Sequence, residues 1–137
     1  MKSYLLDTSA YSNLVRGDKA IADIVRSADE LYVSIVTIAE LHYGFECGTR
    51  TNENKMLLIK FLNSKKVRTI IPDHSTVGNF STAGKKMKEV GHVLSHHDLW
   101  LVAQAIQHHL TLVSYDKDFT FVHKAKIKDF KLEYIKL

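Results

Sequence analysis

With 137 residues, 45% of them hydrophobic and 25% charged, the chain has an ordinary globular composition and reads as a single domain over residues 1–137, which excludes a disordered or low-complexity polymer. No apolar run approaches the length of a transmembrane helix, and a strand pattern begins by Tyr4 without a signal-peptide layout, so membrane insertion is excluded and a cytoplasmic location is expected. Cys47 stands alone, which rules out an internal disulfide, and the formal charge of +4 suits a polyanionic partner as well as it suits a merely solvated surface.

Ser3–Leu6 reads as a first strand that runs straight into Asp7-Thr8-Ser9. Leu31–Ser34 is a second strand, followed by a helical pattern from about Val36 to Cys47. There Val36, Ala39, Tyr43 and Cys47 form an apolar stripe, and Glu40 borders it. Arg68–Ile71, just before the single proline Pro72, is a third strand. Lys85, Lys86 and Lys88 cluster ahead of another helical pattern, Asp98–His109. In that helix Val102, Ala105 and His109 share a face with Asp98, whereas Gln104, Gln107 and His108 take the opposite side. Thr111–Ser114 and Leu132–Ile135 complete the strands, with Tyr115-Asp116-Lys117-Asp118-Phe119 following the fourth. Strands alternating with helices predict an α/β fold with three layers, α/β/α, around a mostly parallel sheet. Ligands of such sheets bind beyond the carboxyl ends of the strands, near a topological switch point. Asp7 and Asp116 fall on that edge.

A lone carboxylate is costly to bury, yet Asp7, Glu40, Asp98 and Asp116 each stand in or beside an apolar stretch. Each has a purely structural reading. Asp7 could cap the helix that follows it, and Asp98 or Ser95 the later one. Glu40 could be a snorkelling or salt-bridged glutamate at the core edge, and Asp116 with Asp118 a polar turn. Their common placement favours instead one shared site neutralised by a divalent cation, for which Mg²⁺, with its preference for hard oxygen ligands, is the natural candidate. Setting Asp7, Glu40, Asp98, Asp116 and Asp118 aside leaves ten of the 15 acids against 19 Lys and Arg, an acidic pocket on a basic body.

In this order and spacing, four strings resemble the PIN-domain ribonucleases, specifically the VapC toxins of toxin–antitoxin pairs. They are Leu6-Asp7-Thr8-Ser9; Ile38-Ala39-Glu40-Leu41 with Tyr43-Gly44; Asp98-Leu99 leading into Val102-Ala103-Gln104-Ala105; and Leu112-Val113-Ser114 with Asp116-Lys117-Asp118-Phe119. The resemblance covers nearly the whole chain. It implies Mg²⁺- or Mn²⁺-dependent cleavage of single-stranded or loop RNA, often a tRNA or ribosomal RNA, by a homodimer that a small cognate VapB-like antitoxin inhibits. It makes Asp7 and Asp98 the first-choice metal ligands, with Glu40 and Asp116 binding the metal or its waters. Asp118 then stands a shell further out, and Thr8, Ser9 and Ser114 orient the carboxylates. Val93-Leu94-Ser95-His96-His97 and Trp100 depart from the family pattern around Asp98.

His96-His97 beside Asp98 invites a zinc reading, but adjacent side chains point apart and no Cys/His set accompanies them. His97 remains a candidate substrate contact. Basic clusters at Lys65-Lys66-Arg68, Lys85-Lys86-Lys88 and Lys124–Lys131 are individually solvated faces, and the 85–88 cluster is the favoured RNA-binding surface. Tyr11, Tyr43, Tyr115 and Phe119 flank the acids and could stack on bases, although Tyr43 and Phe119 read equally as core. Two alternatives stand beside the toxin: an RNA-processing PIN nuclease without a toxin role, and a receiver-like Mg²⁺-binding signalling module. The second expects an acidic pair at the end of the first strand, where Leu5-Leu6 precede a single Asp7.

Overall fold

In the computed structural model, which describes residues 1–137, five short strands form one sheet in the order β3-β2-β1-β4-β5. They are β1 (Ser3–Leu6), β2 (Glu30–Ser34), β3 (Val67–Ile70), β4 (Thr111–Ser114) and β5 (Lys131–Tyr134), and every neighbouring pair is parallel. Helices α1 (Thr8–Val15) and α2 (Lys19–Ser27) join β1 to β2, and α3 (Ile35–Cys47) and α4 (Thr51–Leu62) join β2 to β3. Helices α5 (His74–Glu89) and α6 (His96–Gln107) lead to β4, and a 3-10 helix over Lys117–Ala125 leads to β5. No helix is long and apolar enough to cross a membrane.

The two-residue period of a strand assigns the layers. Leu5 and Leu112 are fully buried on one face, in a core with Ala83, Met87, Leu101, Val102 and Phe119 from α5, α6 and the 3-10 helix. Leu6 and Val113, one residue on, face the other way and pack with Ala10, Ile21, Leu31 and Val33. Central strands covered on both faces need apolar residues at consecutive positions, as Leu5-Leu6 and Leu112-Val113 supply. The chain builds outward from β1 to β3, then returns to place β4 on the other side of β1. The switch point therefore lies between the carboxyl ends of β1 and β4.

Three expectations about helix faces fail. In α3 the residues turned inward are Thr37 and Leu41, with Ile38 and Phe45 partly buried, whereas Ala39, Cys47 and Tyr43 (73% exposed) look outward. Apolar residues ring this helix, so periodicity offers two faces and the sheet selects one. Helix α6 is buried almost all round, Leu99 and Leu101 through Ala105 in succession, because it lies between the sheet and α5. Gln104 is consequently fully buried instead of facing solvent, and neither of its amide atoms has a partner. The helix also stops earlier than its pattern suggests. His109 takes a left-handed φ of 55° while Leu110 N–H donates to Ala105 O at 2.9 Å, so His109 leaves the face it shared with Asp98 in sequence.

Much of the basic surface serves the fold. Lys66 Nζ lies 3.2 Å from Ala28 O and also donates to Val25 O, closing the carboxyl end of α2, where a cation is favoured. Arg68 Nε donates to Glu30 Oε2 at 2.7 Å across β2 and β3. Because β1 is packed on both faces, Leu5→Ala and Leu6→Ala should each cost about 2–5 kcal/mol in denaturant melts. Ile35→Ala, on the exposed side of α3, should stay within about 1 kcal/mol.

Candidate active site

Leu6 hands the chain to Asp7, which caps α1 by accepting from Ala10 N–H through Oδ1 at 2.8 Å and is only 5% exposed. Ser9 Oγ donates to the same oxygen at 2.7 Å, and Ser114 Oγ donates to Oδ2. A hydroxyl has one proton, so both serines give theirs to Asp7. Each then accepts a backbone N–H at 2.9 Å, Ser9 from Tyr115 and Ser114 from Asp116. The 3.3 Å approach of the two hydroxyl oxygens needs no bond of its own. One carboxylate thus ties together the end of β1, the start of α1 and the end of β4.

Asp98 stands in the first turn of α6, whose cap is Ser95, accepting Asp98 N–H at 3.1 Å. Asp116 caps the 3-10 helix by accepting Asp118 N–H at 2.9 Å. Carboxylate oxygens of Asp98, Asp116 and Asp118 all lie within 4.8 Å of one another. Glu40 arrives from α3 with its side chain 47% exposed, its Oε2 3.1 Å from His97 Nδ1. Asp7, Glu40, Asp98 and Asp116 line one cleft of about 460 Å³ at the carboxyl edge of the sheet, with Thr8 and Ser9 in its wall. Ser114 is fully buried behind it, and Asp118 borders the group outside the cleft lining, 3.3 Å from His92 Nε2.

Five further polar residues line the cleft: Ser12, Asn13, Arg16, Ser95 and His97. Ser9, Ser12, Asn13 and Arg16 follow the three- and four-residue spacing of one helix face, and that phase was available in the sequence once Asp7 was placed at the site. Lys85, Lys86 and Lys88 are not in the lining; Lys86 instead reaches toward Lys126 O at 3.5 Å. Of the aromatic candidates, Phe119 and Tyr11 are core, Tyr115 donates its hydroxyl to Asp18, and Tyr43 stands exposed.

The electrostatics are those of several acids gathered with little counter-charge, Arg16 and His97 being the only basic side chains in the lining. Burial pushes the Asp7 carboxyl above the ordinary carboxylate range, against the three donors that oppose it, and the Asp116 charge adds to the rise. Burial likewise lifts Asp98 to about 6, with Asp116 and Asp7 pushing the same way and His97 opposing. Every side-chain oxygen in the group is a hard donor, no sulfur is present, and Thr8 Oγ1 is buried in the wall without a partner. This donor set fits a divalent cation such as Mg²⁺, which would relieve the mutual repulsion.

A parallel sheet with carboxylates meeting at its β1/β4 switch point defines the class, and residues 4–125 match the PIN domain family model. The chain belongs to the PIN-domain family. It is 26% identical over 116 residues to Ribonuclease VapC2 of Haemophilus influenzae, covering 83% of this chain and 86% of that protein. Its fold is similar to that of VapBC2 from Rickettsia felis, solved bound to a promoter DNA fragment, at TM-score 0.82 and 19% identity over 98% of this chain and 99% of the other. VapBC-1 from nontypeable Haemophilus influenzae gives TM-score 0.80 at 22% identity, covering 96% and 97%. Membership of this family removes the receiver-like reading.

A carboxyl whose folded pKa lies above its unfolded value favours folding while protonated. Its contribution is complete below about pH 4 and is lost as pH rises through the folded pKa of about 6. Asp98→Asn imitates the protonated form. In excess EDTA it should therefore melt above wild type near neutral pH, and the margin should close as the pH falls toward about 4. A margin that is absent, reversed or independent of pH would contradict the assignment of Asp98 to an uncompensated acidic cluster.

Proposed function

We propose that this protein is a metal-dependent endoribonuclease acting in the cytoplasm as the toxin of a type II toxin–antitoxin pair, with tRNA or ribosomal RNA as substrate. The observation that carries the reading is the meeting of Asp7, Glu40, Asp98 and Asp116, from four separate elements, in one open polar cleft of a PIN-domain sheet. The ribonuclease name of the relative supports the activity, and the toxin–antitoxin complexes among the similar structures support the partner.

Asp7 and Asp98 would hold Mg²⁺ or Mn²⁺ directly, Glu40 and Asp116 would bind it or its waters, and Asp118 would act from just outside. A cation bound there lowers the pKa of coordinated water and offsets charge on the phosphate. Ser9 and Ser114, each giving its only proton to Asp7, keep both oxygens of that carboxylate fixed. Thr8 adds a hydroxyl oxygen in the wall that has no partner of its own. Arg16, on the same cleft, is placed to meet a phosphate oxygen with its planar guanidinium. The openness of the cleft suits a strand end or loop whose backbone can approach the acids, rather than a regular duplex. The protein would work as a homodimer, silenced by a VapB-like antitoxin that offers Arg or Lys to the carboxylates and apolar anchors beside them.

Purified protein should cleave single-stranded or loop RNA only with Mg²⁺ or Mn²⁺, and EDTA should stop it. Asp7→Asn, which keeps the cap oxygen and loses the charge, should lose roughly 100-fold or more in rate while remaining folded. In cells, wild type alone should arrest growth, whereas Asp7→Asn, or wild type with its adjacent gene, should not. Cleavage in excess chelator would overturn the metal reading. Cleavage without toxicity, and with no co-purifying partner, would favour an RNA-processing nuclease.

Lys85, Lys86 and Lys88 of α5 would form the RNA-binding cluster. Replacing all three with Gln should weaken RNA binding and flatten its salt dependence by about 0.7 in slope for each phosphate that is no longer neutralised. Mn²⁺ affinity should stay unchanged. An unchanged salt slope would move the RNA path elsewhere, toward Lys124–Lys131.

A further inference from the structure

We infer that His97 is a positioning residue whose Nδ1 fixes the Glu40 carboxylate at the mouth of the cleft, so that the acid from α3 is held against those of α6 and the sheet. The inference rests on the metal-dependent reading of the site and assigns a task to a residue outside the carboxylate set. The pair is separated by 57 positions in sequence, Glu40 on α3 and His97 at the start of α6, yet Nδ1 and Oε2 stand 3.1 Å apart. That close approach is the only ion-pair contact of the Glu40 side chain. Asp7, by contrast, is held by three donors. A half-exposed glutamate with three free torsions samples many rotamers, and the histidine is what selects one.

His97 is suited to this and not to other roles. Its side chain is 18% exposed, and Nε2 is enclosed without a hydrogen-bond partner, so no substrate proton can reach that nitrogen. This geometry argues against a general base. Nor is His97 the second half of a zinc pair, because His96 turns away to lie edge-on to Phe80 at 5.7 Å. Leaving a ring nitrogen buried and unpaired is costly, and the close approach of Nδ1 to Glu40 is the one polar contact on the same ring.

The test is a calorimetric Mn²⁺ titration of the full-length protein, with metal-free melts to confirm folding. His97→Ala should weaken Mn²⁺ binding roughly 10- to 100-fold, the usual consequence of removing a group that orients a ligand. His97→Asn, whose amide nitrogen replaces Nδ1, should bind close to wild type. His97→Gln carries its amide one bond further out and should behave like Ala. In a Glu40→Gln background, His97→Ala should add nothing, because the two act as one unit. Should the Ala variant not fold, the contrast between Asn and Gln carries the test alone. Wild-type affinity in His97→Ala, failure of Asn to rescue, or a His97→Ala loss undiminished in Glu40→Gln would each overturn the assignment while leaving the metal site standing. Wild type that binds no Mn²⁺ would overturn the metal reading, and this assignment with it.

Discussion

Asp7 lies almost wholly out of solvent at the end of the central strand, where a carboxylate must find donors or a positive charge to stay ionised. Three donors reach it, from the first turn of α1, from Ser9 and from Ser114 at the end of β4. The two serines are themselves pinned by the backbone N–H groups of Tyr115 and Asp116. Satisfying one charge therefore dictates how β1, α1 and β4 meet, and the direction in which the chain leaves β4 toward the remaining acids. These donors do not complete the compensation: burial still holds the carboxyl above its ordinary range. Part of the balance is left to whatever enters the cleft.

That shortfall is spread over several elements, each arranged by ordinary local rules. Asp7 and Asp116 are helix caps, and Asp98 sits in a first turn where the macrodipole favours an anion. Capping and site geometry are thus not rival explanations for these residues. The fold uses the amino end of a helix to stabilise each acid separately, and the sheet then brings the acids together. Glu40 is the exception, since it lies mid-helix on a half-exposed side chain and depends on His97 for its direction.

Positive charge follows a different plan. Lys66 closes α2, Arg68 pairs with Glu30, and Arg50 and Lys55 pair with Glu53 and Glu46. These basic residues are therefore less free for a polyanion than their number suggests. In the cleft itself Arg16 is the one lysine or arginine among the lining residues. An acidic centre with a single guanidinium at its edge and a basic body around it can attract a phosphate backbone without neutralising the carboxylates.

The sequence by itself determined the order of strands and helices, the parallel sheet, and the edge on which Asp7 and Asp116 stand. Strand period, apolar pairs such as Leu5-Leu6, and cap chemistry are local properties that a chain carries without knowing its neighbours. It could not say which apolar face of α3 would turn inward, because residues of both faces are apolar. Nor could it show that Gln104 would be buried, since that follows from α6 being enclosed by both the sheet and α5. The same holds for the pairing of Glu40 with His97, for the ring of polar residues from α1 around the acids, and for Lys66 capping a helix some 40 residues earlier. Each depends on where one element lies against another. That was decided only in the tertiary structure, where helix packing on two sides of a twisted sheet sets distances that no spacing along the chain contains.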